Sequence, residues 1–306
     1  MFFKKKNLEI ISNTYKLIQG KYKKKQNIQL FLKNKTFSNS EIIKLAYDIQ
    51  SGSYIKFFKK LNKKKKANVY FPLIKAINDN FKNVKTILDF GCGELTTSSY
   101  IFKNLNYKIK KYYANDISFN RLLVGSNELK KKLTKKNYNK FKIFCNSDNN
   151  LPFKNNSIDL VLTVHALEPN NKYKYKILDE LLRVSKLGVI LMEPHYEISN
   201  VKQKKRMTRF DYIRGIEKIL KLKKIKYHII QKKFHLNNLN KSSIFVLKNN
   251  LIKKKQRDNF VDPIKKNDLI KKDNFLYSKK TFRAFPIIND IIIFNEDSQI
   301  FLPNLK

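Results

Sequence analysis

Apolar residues in the middle of the chain fall in short, nearly continuous runs separated by longer amphipathic stretches. Thr86-Ile87-Leu88, the Tyr-rich run over 110–118, Phe141–Cys145, Ile158–Val164 and the run over 187–194 are apolar at consecutive positions and partly β-branched. Runs of this kind are expected as strands buried on both faces, as in a parallel sheet. Residues 174–186 carry Ile177, Leu178, Leu181, Leu182 and Val184 at helical spacing, which predicts a helix with one packed face. A further helix is expected over 206–223, then two strands over 226–234 and 242–249 that form a closing hairpin. Strand and helix alternate repeatedly, which predicts an α/β fold around a mostly parallel, Rossmann-like sheet with an antiparallel last strand. Two helices, about 6–20 and 39–61, precede it, and a short β-rich stretch follows a lysine linker at 253–255.

The first strand runs into a Gly-rich turn. Asp89 ends the strand, and Gly91 and Gly93 let the backbone turn tightly and approach a ligand without a Cβ in the way. Thr96, Thr97 and Ser98 offer side-chain caps for the helix that follows. Open α/β sheets bind ligands at this end of their strands. A dinucleotide-binding G-x-G-x-x-G is not satisfied, because position 96 is Thr. One helix and one strand further on stands Asp116, which can accept hydrogen bonds from ribose hydroxyls or can cap the helix starting near Ser118.

These segments resemble class I S-adenosylmethionine-dependent methyltransferases. Their first motif, strand-D/E-x-G-x-G-x-G, is matched by Asp89, Gly91 and Gly93, with Leu95 at the third glycine position. Residues 110–118 resemble the second motif. Leu151-Pro152-Phe153 followed by Ser157-x-Asp159 resembles the LPF-x(3)-S-x-D-x-V signature of the methyltransferase type 11 group, and ELLRVSKLGVILMEP over 180–194 resembles that group's helix–strand segment. The motifs occur in order over residues 67–250. The resemblance implies S-adenosyl-L-methionine as cofactor, held by Asp89, Gly91, Cys92, Gly93, Asp116, Ile117 and Val164, with Leu151 or Phe153 lining the adenine face or serving equally as ordinary core. It also implies Asp148 or Asn149 at the adenine amino group, with the spacing leaving the two open. Residues 46–58 resemble the segment that folds over the cofactor. Residues 1–66 are therefore expected as a helical lid, with Tyr47 and Tyr54 as contacts to cofactor or substrate or as packing aromatics.

Methyl transfer needs the acceptor held close to the methyl carbon in a site without water, and a general base when the acceptor is a hydroxyl or a protonated amine. His165 and Glu168, just after the fourth strand, are the candidates; a neutral His at a strand end is a suitable base, and equally a plain hydrogen-bonded residue. His195 and Tyr196, after the fifth strand, are candidate acceptor contacts. The HALEPN stretch is not the N/D-P-P-Y/F motif of amino-group DNA and protein-glutamine methyltransferases.

Composition changes this picture in two places. The net charge is +42, from 66 Lys+Arg against 24 Asp+Glu, and most of it is Lys spread along the whole chain. Such a charge fits RNA or another polyanion. It fits better an AT-rich coding bias on solvated faces, since specific nucleic-acid contacts favour Arg. A small-molecule or glycan-precursor acceptor is therefore expected first, an RNA acceptor second, and a silent cofactor- or polyanion-binding scaffold third. The two cysteines, Cys92 and Cys145, make no disulfide framework, no apolar run reaches the ~20 residues of a membrane helix, and no signal peptide is evident, so a cytoplasmic protein is expected.

The second place is residues 251–306. Val261-Asp262-Pro263, Leu269, Ser278, Phe285-Pro286-Ile287-Ile288, Ile291-Ile292-Ile293 and Glu296-Asp297 resemble the small zinc-ribbon-like module that activates some tRNA, rRNA and release-factor methyltransferases as a separate subunit. Asp262 stands at its first cysteine position. Residues 251–306 contain neither Cys nor His, so no metal is expected and the module must hold together by apolar packing and docking. A plain β-rich tail is the alternative.

Overall fold

The computed structural model describes Ser12 and residues 39–146, 150–230, 239–249 and 255–305. The helix expected over 6–20, the lysine runs at 4–6 and 23–25, the end of the strand expected over 226–234, most of the 253–255 linker, and Asp148 and Asn149 lie outside those residues.

Five parallel strands make the centre: β1 (Thr86–Phe90), β2 (Lys111–Asp116), β3 (Phe141–Cys145), β4 (Ile158–Val164) and β5 (Ser185–Pro194). β7 (Ser242–Lys248) runs antiparallel to β5, and β6 (Tyr227–Ile230) antiparallel to β7. The order across the sheet is β6-β7-β5-β4-β1-β2-β3. Successive residues of a strand point to opposite faces. In β1, Ile87 joins one core cluster and Leu88 the other; in β4, Leu160 and Leu162 face one way and Val161 the other. Both faces are covered, which is why these strands read as continuous apolar runs.

On the first face lie α3 (Lys63–Asn80), α4 (Thr96–Asn104) and α5 (Phe119–Lys132), through Leu73, Ile77, Ile101, Leu122 and Leu129. On the second lie α7 (Lys174–Val184) and α9 (Ile216–Leu222), through Ile177, Leu181, Ile219 and Leu220. α6 (Lys135–Tyr138) is a single turn between α5 and β3.

Two helices expected as single are broken. The 39–61 segment is α1 (Asn39–Ile49) and α2 (Ser53–Lys60), separated where Gly52 takes φ +88°. The 206–223 segment belongs to α8 (Val201–Arg209), which begins with an Asn200/Gln203 capping box, and to α9. Asp211 at φ +51° and Gly215 at φ +73° interrupt it, because a left-handed residue cannot propagate a right-handed helix.

The C-terminal residues extend the same sheet. β11 (Ile291–Ile293) pairs parallel with β3, followed outward by β10 (Arg283–Ile288), β9 (Phe275–Ser278) and β8 (Ile270–Lys271), with β12 (Ile300–Phe301) beside β10. Asp262 is fully buried at the module's centre. Its Oδ1 accepts from the Ile264 and Lys265 N–H groups at 2.8 and 3.0 Å and from Arg283 Nη2 at 2.6 Å, and its Oδ2 accepts from Thr281 Oγ1 at 2.5 Å. The carboxylate thus organises the loop over 262–266.

Candidate active site

The Gly-rich turn leaves β1 with Gly91 at φ +68° and Gly93 at φ +58°. A Cβ on Gly91 would lie 2.4 Å from Ala166 Cβ, and one on Gly93 would lie 2.3 Å from Arg121 Nη2. Both positions favour glycine by conformation, and Gly91 also by space, since the Ala166 Cβ and backbone cannot give way as the end of the Arg121 side chain can. The Cys92 N–H donates to the Asn115 carbonyl at 2.8 Å, and the Gly93 N–H to Asp116 Oδ2 at 2.8 Å. Asp116 Oδ1 accepts from the Ser118 N–H at 2.9 Å, while the Ser118 side chain caps α5. Asp116 therefore knits the turn to the end of β2, and a carboxylate with about four lone-pair positions keeps acceptor capacity for a ligand hydroxyl.

Asp89 lies beneath the turn rather than on a cavity wall. It is buried, accepts from Ser98 Oγ at 2.6 Å and Tyr112 OH at 3.1 Å, and burial pushes its pKa up to about 6. Ser98 is thereby spent on Asp89, and α4 starts without a side-chain cap. Its N-cap, Leu95, holds the left-handed conformation (φ +57°) that a third glycine would take.

Two cavities adjoin the turn. The larger, about 530 Å³, is bounded by Gly91, Cys92 and Gly93 on one side, by an aromatic wall of Tyr47, Tyr54, Phe57, Phe58, Tyr70 and Tyr212, and by a polar end of His165, Glu168, Arg206, Asn240 and Ser242. The smaller, about 80 Å³, is lined by Asp116, Ile117, Asn146 and Pro169 among others, and shares Tyr47, Gly91, Arg121 and His165 with the larger. Val164 lines the larger cavity. Burial raises the Cys92 thiol's pKa well above its ordinary value, so Cys92 packs in the turn and is no thiolate nucleophile.

At the end of β4, His165 takes φ +55°. Its Nδ1 is 3.0 Å from Glu168 Oε2 and its Nε2 3.2 Å from Ser242 Oγ. Glu168 Oε1 accepts from Asn240 Nδ2 at 3.0 Å. Burial alone would lower the imidazole's pKa; the hydrogen bond and charge of Glu168, with the charge of Glu193, outweigh it and raise the pKa above its ordinary value. With Nδ1–H on Glu168, Nε2 is the ring atom left to take a proton.

Other expected site residues sit elsewhere. His195 is buried away from both cavities, with Nδ1 2.9 Å from Ser243 Oγ and Nε2 2.9 Å from Glu217 Oε1; Tyr196 lines neither cavity. His195 continues the pairing with the β7 side through its N–H on the Lys241 carbonyl and points to Glu217 of α9, while the Tyr196 ring lies against Lys204 of α8. Leu151 and Phe153 are fully buried core residues. The carbonyls of Leu151 and Pro152 instead accept from Lys266 Nζ and the Val261 N–H, both at 2.9 Å, so this segment docks the C-terminal module.

Among the residues of the site that were not anticipated, three organise it. Glu94 caps α2 through the Gly52 and Ile55 N–H groups at 3.0 and 2.7 Å. Arg121 lies between the Tyr47 and Tyr54 rings, each centroid 4.7 Å away, and 4.0 Å from Asp116. Ser242 reaches the site because the β5–β7 register sets it opposite Pro194. Only the register, which no local motif encodes, could have found Ser242. The acidic Glu94 inside the Gly-rich turn was a visible signal.

Residues 88–192 match the model of a protein family described as a methyltransferase domain. No curated protein matches the sequence. Among solved structures, similarity extends to a SAM-dependent methyltransferase from Aquifex aeolicus (17% identity, 62% of this chain, 95% of that one, TM-score 0.44). It extends also to magnesium protoporphyrin IX methyltransferase from Synechocystis PCC 6803 with bound SAH (12% identity, 69% of this chain, 100% of that one, TM-score 0.48). A third is the complex of the Haloferax volcanii Trm112 methyltransferase activator with a methyltransferase (11% identity, 61% of this chain, 91% of that one, TM-score 0.46).

Residues 88–192 are by that match a methyltransferase domain, carrying the Gly-rich turn, Asp116 and the β4 end in the expected order. The chain is a methyltransferase, and S-adenosyl-L-methionine is its cofactor. The glycine cradle and the Asp116 carboxylate fit that group. Among the described residues no helix is long and apolar enough to cross a membrane, and no cluster of His, Cys, Asp or Glu could hold a metal ion.

Proposed function

We propose that the chain methylates a hydroxyl group on a small-molecule acceptor with an apolar or aromatic body, a class that includes lipid-linked or glycan precursors. The observation that carries this reading is the aromatic-walled cavity of about 530 Å³, whose polar end presents His165 Nε2 beside the Gly91–Gly93 turn. That volume is the size of a small-molecule site. When bound, S-adenosylmethionine supplies the methyl group, its carbon–sulfur bond breaking as the bond to the acceptor oxygen forms. His165 Nε2 takes the hydroxyl proton, directly or across Ser242 Oγ, and Glu168 holds the ring by Nδ1 and stabilises the imidazolium. Tyr47, Tyr54 and the other aromatics exclude water and orient the acceptor. Asp116 holds the ribose, and the turn of Gly91, Cys92 and Gly93 receives the rest of the cofactor.

The division of the chain into a lid (1–66), a catalytic domain (67–250) and a docked, metal-free module (251–306) belongs to the same proposal. It is supported by α1 and α2 closing over the turn and by β11 on the edge of β3.

Calorimetric titration with S-adenosylmethionine and S-adenosylhomocysteine, with Asp116→Ala alongside, tests the cofactor site; binding is expected in the wild type and lost in the variant. Labelled-methyl transfer to panels of hydroxylated aromatic and apolar compounds, with cellular RNA in parallel, tests the acceptor. Product is expected on small hydroxylated compounds. The rate should rise with pH through an ionisation above the ordinary imidazole value and fall about 10²-fold or more in His165→Ala. Label appearing on RNA alone overturns the reading in favour of the acceptor that the +42 charge suggests.

A further inference from the structure

Glu193, in β5, is fully buried directly under the loop that carries His165. Its Oε1 accepts from the Ala166 N–H at 3.0 Å and the Leu167 N–H at 3.1 Å. Its Oε2 faces the Thr163 hydroxyl without a well-formed hydrogen bond. A carboxylate buried with so few partners is costly, and an apolar residue or a glutamine would hold the sheet at less expense. The group it serves is close by. His165, between Val164 of β4 and Ala166, takes φ +55°, with its own N–H on the Met192 carbonyl at 2.9 Å. A left-handed residue other than glycine persists only where its surroundings over-determine it. The two N–H bonds to Glu193 fix the peptides immediately after His165.

We propose that Glu193 is a positioning residue for the methyl-transfer reaction: it fixes residues 165–167 in the turn that aims His165 Nε2 into the acceptor cavity. This rests on the reading of His165 as the base. The charge of Glu193 acts as well. The titratable groups facing His165 are Glu168 on its own loop and Glu193 on β5; Ser242 on β7 is neutral, and Tyr47, Arg121, Arg206 and Tyr212 line the same cavity. Glu193 therefore helps the imidazole keep a proton once it has taken one. Burial lifts its own pKa to about 7.

The test needs no acceptor. Full-length protein labelled at its four histidines is titrated by NMR, with the His165 signal assigned by its loss in His165→Asn, and exchange of the Ala166 and Leu167 amides is followed in parallel. Glu193→Gln keeps an oxygen for both N–H groups but removes the charge. It should leave both amides protected and lower the His165 midpoint by about half a pH unit or more. Glu193→Ala should speed exchange at those two amides about tenfold or more while amides of β1 and β2 hold. Glu168→Gln should lower the midpoint without exposing the amides. An unmoved midpoint in Glu193→Gln overturns the proposal, as do protected amides in folded Glu193→Ala; if Glu193→Ala does not fold, Glu193→Gln decides. Failure of the protein to bind S-adenosylmethionine would instead overturn the functional reading, leaving these shifts as they are.

Discussion

Leu95 shows how one residue can satisfy the Gly-rich turn without being glycine. It occupies a left-handed conformation that costs a leucine about 1–2 kcal/mol, yet its side chain is 1% exposed in the core. Removing a buried leucine costs about 2–5 kcal/mol, so burial wins and the leucine is tolerated. Leu95→Ala loses the packing and keeps the strain; Leu95→Gly loses the packing and relieves it. The glycine variant is therefore expected to be the more stable of the two by about 1 kcal/mol, the reverse of the usual order within helices. Thermal melts showing alanine above glycine would contradict the left-handed assignment. Asp262 poses the complementary case, a buried carboxylate whose bonds outweigh its burial. Burial pushes its pKa up, but bonds from Thr281, the Lys265 and Ile264 N–H groups and Ser278 more than compensate and lower it below the ordinary value. A carboxylate depressed in the folded state adds stability above its unfolded pKa and loses it as pH falls through the folded one. The C-terminal module should therefore loosen below about pH 4. Asp262→Ala, which leaves Arg283 unpaired, should cost about 3 kcal/mol or more at neutral pH, read by denaturant titration.

Among the elements, the lid is held by contacts that no periodicity encodes. Glu94 puts its carboxylate at the N-terminus of α2, where unpaired N–H groups and the helix dipole favour an anion. Asp48 Oδ1 meets Ser118 Oγ at 2.5 Å, and Arg121 fills the space between Tyr47 and Tyr54. Glu94→Ala should free α2. Tryptic cleavage at Lys56, Lys59 and Lys60 should then accelerate about tenfold with β1–β5 intact, and affinity for S-adenosylhomocysteine should weaken because the lid covers the turn. Unchanged cleavage would mean that the Asp48–Ser118 bond and the aromatic–Arg121 stack hold these helices without Glu94. The strands, α7 and the turn were legible because strands buried on both faces and one-sided helices leave strong local patterns. The breaks at Gly52 and at 211–215 were misread because the apolar spacing continues across them while the backbone does not. Asp116 was legible as a polar residue at a strand end, whereas Ser242 and Glu193 come to His165 only through strand register. His195 and Tyr196 line neither cavity, since proximity in sequence to a strand end does not fix which way a side chain points.

At the scale of the molecule, the C-terminal residues complete the sheet. Without them, β3 would be an edge strand with unpaired N–H and C=O groups beside a cluster of large aromatics, a surface prone to pairing with other chains. β11 takes that edge. Phe260 then packs among Tyr113, Phe144, Phe153 and Phe294, with centroids 5.3–5.4 Å away, and Lys255 pairs with Asp159 at 2.7 Å. Leu276, Phe285 and Phe294 belong to one core cluster and Ile291 and Ile293 to the other, so the module is wedged into both faces. Buried side chains of this size contribute about 1.5–3 kcal/mol each, and aromatic pairs about 0.5–1.5 kcal/mol more, before the entropy of ordering the chain is set against them, so removing the docked residues exposes a substantial part of the core. A chain ending at residue 250 should accordingly melt at least 10 °C lower or self-associate, and a separate 251–306 polypeptide should restore its melting temperature by adding β11 to β3 in trans. The Asp262→Ala form of that polypeptide should restore less, because its loop is no longer organised to present the strand. A monomeric 1–250 chain with unchanged melting would show that β3 needs no cover and that the C-terminal residues are a passive tail.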